Sequence, residues 1–283
     1  MKGIIALDLD GTVTQNPEIL PQSVASYLQQ LSKTWQIAFI TGRSFTLAWN
    51  LLSSLKFPYH LAVQNGACLL QMPERVILGT HYLSAEMLPS LEAIGSEEGV
   101  DFVIYGGIER EDVCFFRPQM FSERMQVMFE KRCEKTAEVW KPVPDFSTLP
   151  LKAFPTVKFF GSKKLMEQVA KKLESRLYLH APLIADPFLP GIYLVQASTQ
   201  EANKGQVVRD LRKRLNHSVV IAAGDDHNDH EMLEEADIRL VMDRAPAILR
   251  EKVKTVVLPS TEKGLIEGLD KVTQEKFWRD YAR

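Results

Sequence analysis

Two aspartates one residue apart, Asp8 and Asp10 in Asp8-Leu9-Asp10-Gly11-Thr12, follow the short apolar run Gly3–Leu7. In an extended chain alternate residues face the same side, so the two carboxylates point together, and Gly11 permits a sharp turn after them. A second acidic segment, Gly224-Asp225-Asp226-His227-Asn228-Asp229, follows the apolar run Val219–Ala223. Its clustered carboxylates are costly to hold together without a cation, and hard oxygen donors suit magnesium. A calcium EF-hand is a poor match, because its glycine belongs at the sixth loop position and Gly11 stands at the fourth. His227 and His230, spaced i, i+3, raise zinc as an alternative, but no cysteine is near and the surrounding donors are oxygens. Thr41-Gly42-Arg43-Ser44 closes a third apolar run, Ile37–Ile40. A hydroxyl with free N–H groups where a strand gives way to a helix can cradle a phosphate, although Thr and Gly are also ordinary helix-start residues. Lys204, in Ala202-Asn203-Lys204-Gly205, opens a helical segment and taken alone is a surface charge.

The elements that must position these groups alternate. Gly3–Leu7, Ile37–Ile40 and Tyr59–Val63 read as buried strands, with helices over Leu20–Leu31 (opening on Pro21) and Leu47–Leu55 between them. Asn65-Gly66 predicts a tight two-residue turn, with Ala67–Leu70 and Arg75–Leu78 as small antiparallel strands. The middle changes style. A helix near Ser84–Glu97 precedes paired strands Asp101–Tyr105 and Asp112–Phe116, then a helix around Phe121–Lys135 and a proline-spaced stretch. Thr156–Phe160 (strand), Lys163–Glu174 (helix), Leu177–Ile184 and Ile192–Gln196 (strands) complete it. From Lys204 the first style returns: a helix to Leu215, strand Val219–Ala223, a helix near Asp229–Glu235, strand Arg239–Met242, a short helix and Thr255–Leu258. The expectation is an α/β Rossmann-like core, a doubly wound parallel sheet formed by residues 1–82 and 198–283, with an inserted α+β domain over 83–197. In open parallel sheets ligands bind past the C-terminal strand ends, where the polar segments above fall.

Composition narrows the class without naming a reaction. The chain has 283 residues, 45% hydrophobic and 25% charged, as in ordinary globular proteins and unlike disordered or fibrous ones. Its 34 basic and 36 acidic side chains give a net charge of −2, which removes the global electrostatic reason to expect nucleic acid or an anionic membrane as partner. The three cysteines, Cys68, Cys114 and Cys133, form no CxxC pair and fit a reducing compartment. The N-terminal apolar run ends too soon for a signal peptide, and no stretch approaches the ~20 apolar residues of a membrane helix. A cytoplasmic protein is expected.

Taken together and in this order, the Asp-x-Asp-Gly-Thr opening, the Thr-Gly, the lysine and the Gly-Asp-x-x-Asn-Asp close strongly resemble the haloacid dehalogenase-like phosphotransferase superfamily. The match extends to Ala62-Val63-Gln64-Asn65-Gly66-Ala67 and to Met232, and the place of the insertion resembles the Cof-like branch. That resemblance implies a Mg²⁺-dependent phosphatase for a small phosphorylated metabolite such as a sugar phosphate. In that reading Asp8 is the nucleophile and Asp10 the general acid and base. Asp8, Asp10 through its backbone carbonyl, Asp225 and Asp229 would serve the metal, and Leu9, Thr41, Gly42, Lys204 and Asn228 the phosphoryl group. A phosphomutase with the same chemistry and a non-catalytic binding protein are the alternatives. One departure is Asp243-Arg244-Ala245, where relatives commonly carry Gly-Asn-Ala. Tyr105, Arg110, Phe116, Arg117, Lys158 and Tyr193 are the aromatic and basic candidates for a pocket in the insertion, with packing the better reading for Phe116. Oligomeric state has no signature.

Overall fold

The computed structural model describes residues 1–136, 138–186, 188–216, 219–251, 255–274 and 277. The apolar runs flanking the acidic segments lie side by side in a sheet of eight strands. Its order is Thr255–Leu258, Ile238–Met242, Val220–Gly224, Ile4–Leu7, Gln36–Ile40, Tyr59–Val63, Cys68–Met72 and Val76–Thr80. The first six are parallel, and Cys68–Met72 turns back antiparallel on Tyr59–Val63. Ile4–Leu7 sits in the middle with no exposed surface. A strand covered on both faces needs a continuous apolar run rather than alternation, which is what Ile4–Leu7, Val220–Gly224 and residues 37–40 have. Leu7 is level with Ala223 on one side and Phe39 on the other. The chain therefore leaves three adjacent strands at one edge, through Asp8, Thr41 and Asp225.

Two compact units result: residues 1–42, 50–79 and 203–283 form one, and residues 43–49 and 80–202 the other. The junctions fall a few residues from those read in the sequence, and 43–49 join the second unit. In the first unit, Lys204–Leu215 lays Val207, Val208 and Leu211 on Ile4, Ala6, Ala38, Ile40, Val220 and Ala222. Asn203 caps this helix, its side-chain oxygen accepting from the Gln206 N–H at 2.8 Å. A helix the sequence reading lacks, Glu262–Thr273, is capped by Thr261 and buries Leu265, Leu269 and Val272. Its helical spacing was visible, but Gly264 and Gly268 weaken the propensity signal.

The second unit has a six-stranded sheet, ordered Leu183–Ala185, Tyr193–Ala197, Thr156–Gly161, Phe102–Tyr105, Cys114–Phe116 and Trp140–Pro142. Alternate residues serve opposite faces. Phe102, Ile104, Val157, Phe159 and Val195 pack with Leu91, Ile94, Val169 and Leu173 of helices Leu88–Glu98 and Lys163–Leu177. Val103, Tyr105, Cys114, Phe160 and Leu194 form the other face, with Phe121 and Phe129.

Two local expectations are corrected. Leu177–Ile184 is not a strand: the helix runs on to Leu177, stops at Tyr178 (φ 53°), and only Leu183–Ala185 extends. Asn65-Gly66 is not a two-residue turn. Val63 pairs with Cys68, and Gln64–Gly66 form a 3₁₀ turn with φ of 51°, 57° and 104°. No helix among the described residues is long and apolar enough to cross a membrane.

Candidate active site

Asp8 is the first residue past the central strand, and its N–H donates to the Ala223 carbonyl at 3.0 Å. The chain then coils tightly: the N–H groups of Val13 and Thr14 both donate to the Leu9 carbonyl at 3.0 Å, and the Gly11 N–H to that of Thr14 at 2.8 Å. Gly11 has φ 87°, and a Cβ there would run into the Asp225 carboxylate. Only glycine satisfies both demands. Thr12 then donates its hydroxyl to Asp225 Oδ1 at 2.9 Å, tying the first acidic segment to the second.

Asp229 is wholly buried and braced from two sides. Its Oδ2 accepts from the backbone N–H groups of Asp225 (2.8 Å) and Asp226 (3.0 Å), and its Oδ1 accepts from Lys204 Nζ at 2.6 Å. The close approach needs Gly224, where a Cβ would sit 2.6 Å from that of Asp229. Lys204, the first residue of its helix, also donates to Asp8 Oδ1 at 2.5 Å. Its side chain has no exposed surface. The lone lysine of the sequence reading thus bridges two carboxylates.

Asp8, Asp225 and Asp229 place carboxylate oxygens within 4.8 Å of one another. Burial, then Asp229, raise the Asp8 carboxyl well above the usual range against the pull of Lys204, with Asp225 and Asp10 adding to the rise. Burial and Asp229 push Asp225 up to about 7. Lys204 goes the other way: burial disfavours its charge, but Asp229 and Asp8 hold its proton above the ordinary lysine range. One ammonium cannot neutralise three carboxylates, so a small divalent cation matches what is left over. The donors are all hard oxygens, as Mg²⁺ prefers. Neither histidine belongs to the group: His227 is exposed, and His230 lies 3.7 Å from Glu234. The carboxylate of Asp10, half-buried, lies outside it as well.

The Asp225 shift has a sign that can be checked. A carboxyl whose pKa rises on folding holds its proton more tightly in the folded state, so its contribution to stability falls as pH rises from about 4 through about 7. With divalent ions chelated, Asp225→Asn should melt higher than the parent at about pH 8 and close to it at about pH 4. Thermal melts at both values test this, and a variant that melts lower at the higher pH would contradict it.

A second arm holds Thr41, Gly42 and Asn228. Thr41 is buried; its N–H donates to the Ala62 carbonyl at 3.0 Å, and its own carbonyl accepts from the Asn65 N–H at 2.8 Å. Asn228 Nδ2 donates to Asn65 Oδ1 at 3.4 Å, and a Cβ on Gly42 would stand 3.3 Å from that same oxygen. Asn65 therefore joins the Thr-Gly segment to the last acidic one. Sequence reasoning placed it in a turn and gave it no role, though asparagine is among the residues that best tolerate its left-handed backbone. Leu9 has a fully buried side chain, so only its main chain is available to a ligand. Asp243 is engaged elsewhere, accepting from the Ser260 N–H (3.1 Å) and hydroxyl (2.5 Å), while Arg244 is exposed.

Comparison with known proteins bears on the family and the fold. A profile of the haloacid dehalogenase-like hydrolases matches residues 5–269. No curated protein sequence matches significantly. Among solved structures, a haloacid dehalogenase-like hydrolase from Bacteroides thetaiotaomicron superposes with a TM-score of 0.76 at 18% identity, covering 96% of this chain and all of its own. A phosphatase of the haloalkanoate superfamily from the same organism gives 0.76 at 17% identity, with 96% of both chains covered. A subclass IIB sugar phosphatase gives 0.70 at 16% identity, covering 95% of this chain and 98% of its own.

Proposed function

The chain belongs to the haloacid dehalogenase-like hydrolase family, and we propose that it is a Mg²⁺-dependent phosphatase acting on a small phosphorylated metabolite through an aspartyl-phosphate on Asp8. The observation that carries this is the buried Lys204, which grips Asp8 Oδ1 and Asp229 Oδ1 beside Asp225. Lys204 fixes one oxygen of Asp8, which leaves Oδ2 to attack phosphorus. The P–O bond to the leaving group breaks as the Asp8–phosphorus bond forms, and water later cleaves the phosphoenzyme. Asp10 gives a proton to the departing alkoxide and takes one from that water. Thr41, the Gly42 N–H, the Leu9 main chain, Asn228 and Lys204 neutralise the phosphoryl oxygens. Asp8, the Asp10 carbonyl and Asp225 would hold Mg²⁺, with Asp229 orienting them, and the ion would screen carboxylate from phosphate.

Support for a sugar phosphate as substrate comes from the subclass IIB sugar phosphatase among the similar folds. In this reading the inserted domain at 83–197 sets specificity, and the enzyme works in the cytoplasm, without nucleic acid or membrane. The test is phosphate release from sugar phosphates, nucleotides and phosphorylated cofactors, in Mg²⁺ and in chelator. Release confined to the Mg²⁺ arm is expected. Isomer formation without free phosphate would replace the phosphatase by a mutase, and no turnover of any ester would overturn both.

A further inference from the structure

Asn65 destabilises the turn it occupies. It is the middle of three successive left-handed residues, with φ of 51°, 57° and 104° at Gln64, Asn65 and Gly66. Only Gly66 adopts that backbone without a Cβ penalty. The turn is pressed against the start of helix Lys204–Leu215: a Cβ on Gly66 would stand 2.6 Å from Val207 Cγ2 and 3.0 Å from the Asn203 carbonyl oxygen. The Asn65 side chain is 1% exposed, yet its Nδ2 meets no acceptor among the described residues. A buried N–H group left unpaired weakens a fold. Against both penalties stands one long hydrogen bond, in which Oδ1 accepts from Asn228 Nδ2 at 3.4 Å.

The main-chain tie to the neighbouring strand end needs no side chain, since it is the Asn65 N–H that donates to the Thr41 carbonyl at 2.8 Å. Glycine would keep that tie and relieve the backbone. What the amide adds is the placement of two segments. A Cβ at Gly42 would stand 3.3 Å from its Oδ1 and 3.7 Å from its Nδ2, so the amide lies against the Gly42 main chain. Its Oδ1 also takes one hydrogen of the Asn228 amide. A side-chain amide exchanges its oxygen for its nitrogen by a half turn, and an oxygen would repel a phosphoryl anion. An acceptor at Asn65 selects the nitrogen, and leaves the second N–H of Asn228 for the anion. Strained backbone and an unpaired buried donor at one residue are what a site that serves a ligand carries.

We propose that Asn65 is a positioning residue for the phosphoryl group, acting chiefly by turning the donor end of the Asn228 amide to the anion. This rests on the phosphatase reading, in which Thr41, Gly42 and Asn228 receive that group, and adds the residue that arranges them. Two full-length variants separate side chain from backbone. Asn65→Gly removes the amide and suits the left-handed turn, whereas Asn65→Ala removes the same amide and keeps the Cβ penalty. Calorimetric titration with inorganic phosphate in Mg²⁺ should show binding about tenfold weaker in both. KM for p-nitrophenyl phosphate should rise by a similar factor. Melting temperatures should part: Asn65→Gly level with the parent or above it, and Asn65→Ala about 2–4 °C below Asn65→Gly. Affinity lost in Asn65→Ala alone would reduce the effect to backbone strain, and affinity kept in both would leave the amide idle. Either result overturns the proposal. Asn228→Ala completes a cycle. Adding Asn65→Gly to Asn228→Ala should weaken phosphate binding by less than about threefold, and losses that multiply would overturn the route through Asn228. If one Asn65 variant fails to fold, the cycle run on the other decides. A parent that binds phosphate but hydrolyses no ester would sink the phosphatase reading, and the same titrations would still judge Asn65. A parent that binds no phosphate would overturn both.

Discussion

Asp8→Asn is expected to lower kcat by about 10⁴-fold or more, with no loss of thermal stability. An amide oxygen cannot attack phosphorus to leave a stable acyl-phosphate, so the two-step route closes at its first step. The fold should not notice. The Asp8 charge is disfavoured by burial and by Asp229, and Lys204 compensates it. Asparagine keeps an oxygen at the same place to accept from Lys204, which retains Asp229 as its counter-ion. Phosphate release and thermal melts on the same preparation measure both halves. Residual activity above about one hundredth of the parent's would move the nucleophile to another residue.

Lys204→Met should give the largest stability loss of any single substitution at the site, together with loss of turnover. It strands Asp8 and Asp229, both deeply buried, with no cation between them. Breaking a buried ion pair from one side costs about 3–5 kcal/mol, a fall in Tm on the order of 10 °C for a chain of this size. Lys204 stays charged at every pH below the ordinary lysine range, so the pH dependence comes from the carboxylates. Burial already raises the Asp8 carboxyl, so its protonation as pH falls relieves the stranded charge, and the deficit should be smaller at acid than at alkaline pH. Denaturant titrations at alkaline and acid pH read this directly. A deficit that is absent, or equal at the two values, would mean that the lysine acts by packing alone.

The chemistry-bearing residues were legible because parallel strands buried on both faces announce themselves as unbroken apolar runs. Tyr59–Val63 and Thr255–Leu258 matched from end to end, and the polar residues at the ends of Gly3–Leu7 and Val219–Ala223 pointed at the site. What joins those residues was less visible. Nothing local says that Lys204 faces both Asp8 and Asp229, and in sequence terms alone it was a surface charge. Asn65 was hidden because Asn-Gly is a strong turn signal, so its link to Asn228 passed unnoticed. Lys158 stands across from Gln196 through a strand pairing that no local spacing betrays. Glu262–Thr273 was lost to two glycines whose value lies in close contact with Pro259 and Leu258.

The central strand has one neighbour close behind it in the chain and another, Val220–Gly224, that follows more than 200 residues later. At the usual pace of synthesis, about 5–20 residues per second, some 10–40 s separate the emergence of the two. Throughout that interval one edge of a wholly apolar strand has no partner, the condition under which nascent chains aggregate. The acidic group at its tip is likewise incomplete until Asp225 and Asp229 emerge. Residues 80–202 lie inside the gap, and all but the short 43–49 stretch of the second unit can collapse while the first sheet waits. The order of completion is therefore insertion first and acidic edge last, and the N-terminal strands keep an open edge meanwhile.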